Sequence, residues 1–330
     1  MVARIHIGID VSKDWFDACA RRGRESPVRR FAQSPAGVAD FLGWVKEFGA
    51  RSAHVCMEHT GGYESNLALA CLGENLSVSL VDGTQIKRYR DSFSKTRAKT
   101  DKNDAKLLAR YCKERKPALW APRPECYKQL TELERHRLNL VEQRKAWSCR
   151  SDSPCQNELV AQQRLSLREA AELQIEEVDK AIKKLVETSA ELSRDVALLD
   201  SIEGIAFRSA VRILAEMGPV SNYKTPRDLA LQAGLAPIPC ESGKNTGRCF
   251  LPAYGNRQLR NALYLPVIVA MRADNEFAEF TKRVAGNRDK RKMTVVTAGM
   301  RKLSHVIHGV LSHQTPYAPD ILFRDMSRGA

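Results

Sequence analysis

Short apolar runs alternate with amphipathic stretches over the first part of the chain. Residues 5–9 (IHIGI) form an apolar run that ends at Asp10. Residues 16–20 and 28–31 read as two further strands, with Arg22-Gly23 turning between them. Residues 41–48 carry apolar positions at helical spacing, 54–57 read as a strand ending at Glu58, 63–72 as a helix and 78–81 as a strand. Three adjacent strands followed by strand–helix alternation predict a mixed α/β sheet.

The period then changes. Thr100 is placed to cap a helix running to about Lys113, and Ala121-Pro122-Arg123-Pro124 ends this part. Residues 125–147 are helical, with Leu130, Leu133 and Leu140 on an otherwise polar rod, and Ser151-Asp152-Ser153-Pro154 breaks it. A second helix is expected over 156–199. Along it Ile175, Val178, Ile182, Leu185, Ser189, Leu192, Val196 and Leu199 recur in steps of three and four, and only Ser189 is polar. That spacing predicts a coiled coil or a long helical hairpin, read as an assembly element. In the last third, 201–206 leads into an apolar helix ending near Met217-Gly218. Residues 225–233, 256–272 and 288–312 are helical, and 235–250 form a loop or hairpin. The expected class is α/β plus all-α, divided into 1–125, 126–199 and 200–330, with no internal repeat.

Composition narrows the function. At 43% hydrophobic and 28% charged residues the chain is neither largely disordered nor collagen-like. Fifty-three Lys and Arg against 39 Asp and Glu leave a net charge of +14, which attracts a polyanion, either nucleic acid or an anionic membrane surface. The longest apolar stretch, 262–271, falls short of the roughly 20 residues of a membrane span and contains Pro266. The first residues lack the apolar core of a secretion signal, so a cytoplasmic protein is expected. Nine cysteines, an odd number with no C-x2-C spacing, argue against a zinc ribbon or a disulfide scaffold and for packed thiols. Between 87 and 116 there are twelve Lys or Arg against four Asp or Glu, and a second basic run covers 282–302. Both read as phosphate-binding surfaces, and no helix-turn-helix or RNA-recognition signature supplies base reading.

Three groups of residues can carry chemistry. Asp10 and Glu58 end strands, and Asp101 and Asp104 share one face at the start of a helix. Four such carboxylates at one sheet edge would repel unless cations neutralised them, and hard oxygen donors select Mg²⁺ or Mn²⁺. Two such ions about 4 Å apart activate a nucleophile and steady a leaving oxygen at phosphorus. The second group is Glu241-Ser242-Gly243-Lys244-Asn245-Thr246-Gly247-Arg248, a polar loop whose serine could attack a phosphate while Lys244, Arg248 and Arg257 neutralise it. The third is 202–206, where a turn at Gly204 opens a helix and offers free amides to phosphate. It is similar to half of a helix-hairpin-helix unit, with Ala206 where a second glycine is usual. Each group also has a plain structural use: turn residue, helix cap, solvated loop or helix–helix turn.

Ile7-Gly8-Ile9-Asp10-Val11-Ser12-Lys13, Met57-Glu58-His59-Thr60-Gly61-Gly62-Tyr63 and Lys99-Thr100-Asp101-Lys102-Asn103-Asp104-Ala105 together resemble the three acidic motifs of the DEDD insertion-sequence transposases. This is the bridge-RNA-guided recombinase family, to which the Piv DNA invertases are similar. Residues 205–234, Leu235-Ala236-Pro237 and Glu241-Ser242-Gly243 resemble its C-terminal domain, so the likeness runs along nearly the whole chain.

The resemblance implies an N-terminal RuvC-like, RNase H-type mixed sheet in which Asp10, Glu58, Asp101 and Asp104 are catalytic and hold Mg²⁺. It implies long coiled-coil helices and a mainly helical C-terminal domain with a helix-hairpin-helix-like element. Ser242 would attack DNA and form a covalent phosphoserine link. A dimer or tetramer would bring one protomer's acids to another's serine loop. A noncoding guide RNA would pair with donor and target double-stranded DNA. Nucleic-acid contacts are expected at Lys87, Arg88, Lys95, Arg97, Lys99, Lys102, Gly204, Lys244, Arg248, Arg257, Arg260, Lys290, Arg291 and Lys292. Three competing readings remain at this point: a junction nuclease that uses the same acids with water, an actin-like ATPase sharing the IGID opening, and a non-catalytic DNA-organising protein.

Overall fold

The computed structural model describes residues 5–49, 52–92, 101–242, 245–252, 254–273, 275–286 and 292–318, with the backbone alone at 101–102, 239–242 and 245–249. The chain divides into two compact units, Met1–Pro122 and Arg123–Ala330.

The first unit contains β1 (His6–Val11), β2 (Trp15–Arg21), β3 (Val28–Ala32), α1 (Pro35–Glu47), β4 (His54–Glu58), α2 (Ser65–Gly73), β5 (Ser77–Val81), α3 (Gly83–Asp91) and α4 (Asp101–Arg115). The sheet order is β3-β2-β1-β4-β5. Strand β2 is antiparallel to both neighbours, whereas β1, β4 and β5 run parallel. The period of two sorts the strands between two faces. Ile7, Ile9, Phe16, Ala18, Ala20, Val55 and Met57 share a core with α1 and α2, led by a cluster of Phe16, Phe31, Phe41 and Trp44. The alternate positions Cys19 and Cys56 pack with residues of α4 instead. Covering both faces explains why β1 and β2 are almost uninterrupted apolar runs.

Two helix starts differ from the sequence reading. Helix α1 begins at Pro35 and not near residue 41, because the Ser34 hydroxyl accepts the Gly37 amide and Pro35 opens the first turn. Helix α3 was not expected at all. Asp82 starts it by accepting the Thr84 amide at 2.7 Å.

The second unit contains α5 (Glu125–Ser151), α6 (Glu158–Thr188), α7 (Ala190–Asp200), α8 (Phe207–Met217), a 3-10 turn (Val220–Asn222), α9 (Pro226–Gln232), β6 (Ile238–Ser242), β7 (Asn245–Phe250), α10 (Arg257–Ala270), α11 (Glu276–Ala285) and α12 (Lys292–His313). The expected continuous helix over 156–199 is broken. Ser189 has an extended backbone (φ −103°, ψ 109°), and its hydroxyl caps α7 through the Leu192 amide. Helix α11 was also unforeseen, and Asn275 caps it through the Ala278 amide at 2.8 Å.

Helices α5 and α6 form a long antiparallel hairpin. The seam packs inside this chain: Ile182, Leu192, Val196 and Leu199 are buried in one core with residues of α8, α10 and α12. Charged groups tie the hairpin to α8. Arg137 and Arg208 both bond Asp179, and Arg208 also reaches the buried Glu134. Burial and the nearby Arg212 lower the Arg208 guanidinium to about 10.

Cys19, Cys56, Cys71 and Cys112 are buried thiols outside any disulfide, and burial pushes Cys71 up to about 12. Cys149 and Cys155 are exposed and free. No helix of the described residues is long and apolar enough to cross a membrane.

Candidate active site

The acidic edge of the first unit follows from strand register and one close helix approach. Strands β1 and β4 are parallel with Ile9 opposite Met57, so the next residues, Asp10 and Glu58, stand level at the same strand ends. Helix α4 crosses this pair at Gly8. A Cβ on Gly8 would overlap the backbone of Ala105 and Ala109 and lie 2.7 Å from the Leu108 carbonyl carbon. Further along, the Cys112 thiol donates to the His54 carbonyl at 3.3 Å, at the opposite end of β4 from Glu58. Helix α4 therefore runs antiparallel to β1 and β4, and its first turn lies at the end that carries Asp10 and Glu58.

Rises agree with this placement. Asp10 is about 7 Å beyond Gly8 at strand rise, and Asp101 is about 6 Å beyond Ala105 at helix rise. The backbone thus brings Asp10, Glu58, Asp101 and Asp104 to one edge.

Each described carboxylate has its own setting. Glu58 lies against the start of α3, where a Cβ on Gly83 would overlap Glu58 Oε1 and sit 3.2 Å from its Cδ. Gly83 leaves room for the carboxylate, and the amide end of the helix favours its charge. Asp104 is mostly buried, and its Oδ1 accepts Arg90 Nη2 at 2.6 Å. Among the described residues no three His, Cys, Asp or Glu side chains gather closely enough to ligate one ion, and the Asp101 side chain lies outside that description. The donors at this edge are carboxylate oxygens, a set that suits a hard divalent ion.

The loop after Glu58 is built on Glu64, a buried carboxylate that the sequence reading passed over. Its Oε2 accepts the Thr60 and Gly62 amides at 3.1 and 3.0 Å and the Thr60 hydroxyl at 2.9 Å, and His59 Nδ1 lies 3.0 Å from Oε1. Burial raises the Glu64 carboxyl, but these hydrogen bonds and His59 outweigh it and hold it below the usual range. Gly61 and Gly62 both take positive φ to make the turn (78° and 122°). Arg90 and Gly83 were missed too, since both lie in the unforeseen α3. The signals available were Asp82-Gly83 as a helix start and a glutamate just after a Gly-Gly turn.

The serine lies in the second unit. Ser242 ends β6 and pairs with Asn245 across the hairpin, and a bulge between Cys240 and Ser242 shifts the register there. The base of the hairpin is pinched. A Cβ on Gly255 would lie 2.6 Å from the Gly234 nitrogen, and the Asn256 amide donates to the Gln232 carbonyl at 2.6 Å. Asn256 also donates to Glu216 Oε2 at 2.9 Å, and Glu216 bonds Arg135 at 3.1 Å. Burial raises the Glu216 carboxyl, but Arg135, Asn256 and Arg123 together bring it below the usual range.

The expected nucleic-acid contacts are spread over both units. Lys87 and Arg88 are exposed on α3, Arg257 is exposed at the start of α10, and Lys292 is exposed at the start of α12. Arg260 donates to the Ala233 carbonyl at 3.1 Å and braces the hairpin base. Gly204 packs on α10: a Cβ there would lie 2.5 Å from the Pro266 carbonyl oxygen, and its φ is +90°. Lys95, Arg97, Lys99, Lys244, Lys290 and Arg291 lie outside the described residues. So do the side chains of Asp101, Lys102, Ser242 and Arg248.

Two family models match the chain. An IS110-type DEDD transposase model matches residues 7–154, and a model described as transposase IS116/IS110/IS902 family matches residues 196–282. The chain is similar to the pilin gene-inverting protein of Moraxella bovis, 30% identical over 96% of this chain and 98% of that protein. The Moraxella lacunata protein of the same name is 30% identical over the same shares. The putative transposase y4qE of Sinorhizobium fredii is 27% identical over 78% of this chain and 69% of that protein.

Proposed function

The chain belongs to the IS116/IS110/IS902 transposase family and is a DNA recombinase; from that premise we propose that it exchanges strands between donor and target DNA through a Mg²⁺-dependent acidic edge and a covalent Ser242 intermediate. The observation that carries the reading is the level placement of Asp10 and Glu58 on neighbouring parallel strands, with the start of α4 at the same end. The sheet order β3-β2-β1-β4-β5 supports assigning the first unit to the RuvC-like, RNase H-type class.

Asp10, Glu58, Asp101 and Asp104 would hold the ion. When bound, it draws electron density from the scissile phosphate and favours an ionised attacking hydroxyl. Ser242 Oγ loses its proton and bonds to phosphorus, the bond from phosphorus to the leaving deoxyribose oxygen breaks, and that oxygen takes up a proton. The phosphoester conserves the energy of the broken linkage. Attack by a partner strand's hydroxyl then releases Ser242, so no nucleotide cofactor is consumed. Lys87, Arg88, Arg257 and Lys292 neutralise backbone phosphates, which needs no base reading.

Sequence choice falls to a guide RNA in this reading, which fits the absence of a base-reading motif. A dimer or tetramer would join the acids of one protomer to the serine loop of another; the 175–199 seam, packed inside the chain, is not what joins them. Two experiments test these points. Asp10→Asn and Glu58→Gln are expected to abolish plasmid recombination while retaining DNA binding, and recombination by either variant would refute the acidic site. Purifying the chain expressed with its native flanking DNA, then sequencing the bound nucleic acid, is expected to return one defined RNA from the flank. Random RNA, or none, would refute guidance.

A further inference from the structure

Helix α3 is fixed to α4 by contacts that do not involve its last basic residue. The Tyr89 hydroxyl donates to Glu114 at 2.6 Å, the Tyr89 and Tyr111 rings meet edge to face at 5.1 Å, and the Tyr111 hydroxyl donates to Gln85 at 3.2 Å. Ile86 is buried between these contacts and the sheet. The backbone at Arg90 is thereby held in place, and the guanidinium is aimed at Asp104, fourteen residues further on, with an N···O distance of 2.6 Å.

This pair stands at the edge to which four carboxylates are brought. Their mutual repulsion is the cost of leaving that edge without a metal ion. Arg90 offsets it at Asp104 through a short charge-assisted hydrogen bond in a mostly buried setting. In the acidic-edge reading a divalent ion takes up the Asp104 oxygens, and it would then meet a fixed positive charge beside them. We propose that Arg90 is an internal counter-cation that the metal must displace from Asp104, and that it sets the metal concentration at which the acidic edge loads. Arg90 acts through Asp104 and is a positioning residue, not a catalytic one. The inference rests on the acidic-edge reading given above.

The test is Mn²⁺ binding to the full chain without DNA, read from the free-ion electron paramagnetic resonance signal. Arg90→Gln removes the charge, and the α3–α4 contacts remain. It is expected to bind Mn²⁺ about tenfold more tightly than the unaltered chain, the order set by losing one charge-assisted hydrogen bond. Arg90→Lys is expected to fall between the two. A damaged fold does not tighten metal binding, so the direction separates this role from a structural one. Equal or weaker binding by Arg90→Gln, with binding still dependent on Asp10, overturns this inference alone. Equal Mn²⁺ binding by the unaltered chain and Asp10→Asn overturns the acidic-edge reading and this inference with it.

Discussion

Replacing Gly8 by alanine isolates the contact that seats α4 on the sheet. The added methyl would overlap backbone atoms of Ala105 and Ala109, and backbone, unlike a side chain, has no rotamer by which to move aside. Helix α4 must retreat by about 1 Å, an overpacking that costs roughly 1–3 kcal/mol in a filled interior. The same movement carries the turn holding Asp101 and Asp104 away from Asp10 and Glu58. A misplacement of about 1 Å costs on the order of a hundredfold in rate when groups must converge on one reacting centre. Gly8→Ala is therefore expected to lower the urea midpoint of the first unit and to reduce plasmid recombination about a hundredfold under conditions where the variant is still folded. Gly43→Ala is the control. Gly43 lies inside α1 with open space around it, and alanine there is expected to be neutral or to stabilise by roughly 0.5–1 kcal/mol. If Gly8→Ala matched the unaltered chain in both midpoint and recombination, α4 would not be seated on β1 at this point, and the convergence of the acids would lose its basis.

Other outcomes follow from single contacts. Gly83→Ala is expected to keep or slightly raise thermal stability, because alanine suits a helix better than glycine, yet to reduce recombination at least tenfold by pushing the Glu58 carboxylate aside; unchanged recombination would refute that placement of Glu58. Ser189→Ala removes the cap of α7 and should cost about 1 kcal/mol by chemical denaturation. The Glu216 carboxyl is held below its ordinary value of 4.5 in the folded chain, so its contribution is complete above the unfolded value and is lost as the pH falls through the folded one. Denaturation midpoints measured from pH 6 down to about 3 should fall less steeply for Glu216→Gln than for the unaltered chain.

The sheet was legible because its strands announce themselves. Residues 5–9, 16–20, 54–57 and 78–81 are mostly apolar runs, and burial on both faces makes such runs conspicuous, whereas 28–31 (VRRF) is marked only by Val28, Phe31 and the turn before it. Asp10 and Glu58 were visible as polar residues on which two of those runs end, and their level placement came from the parallel register of β1 and β4. Helix α3 escaped because it is short and polar, so its strong mark is the cap Asp82, and α11 escaped because its Phe277, Phe280 and Val284 stripe spans only ten residues behind the cap Asn275. Ser189 was visible as the one polar member of a regular seam, but periodicity alone does not distinguish a tolerated serine from a helix cap. Glu64 was marked only by its place after Gly61-Gly62, and Arg90 could not be read along the chain at all. Arg90 is one of twelve basic residues in its segment, and only the packing of α3 on α4 selects it as the partner of Asp104. Arg260 went the other way: a basic residue beside a serine loop reads as a phosphate contact, but its guanidinium closes the base of the hairpin.

The most direct test of the strand-exchange account is to trap the protein on its DNA. The full chain, with its cognate DNA and any RNA that copurifies, is incubated with Mg²⁺ and denatured. The covalently linked residue is then identified by peptide mass spectrometry. The account predicts one adduct, on Ser242, that disappears in Ser242→Ala, in Asp10→Asn and on chelation of the metal. Strand exchange by the Ser242→Ala variant, or cleaved DNA with no protein attached, would contradict it and assign the acidic edge to hydrolysis by water.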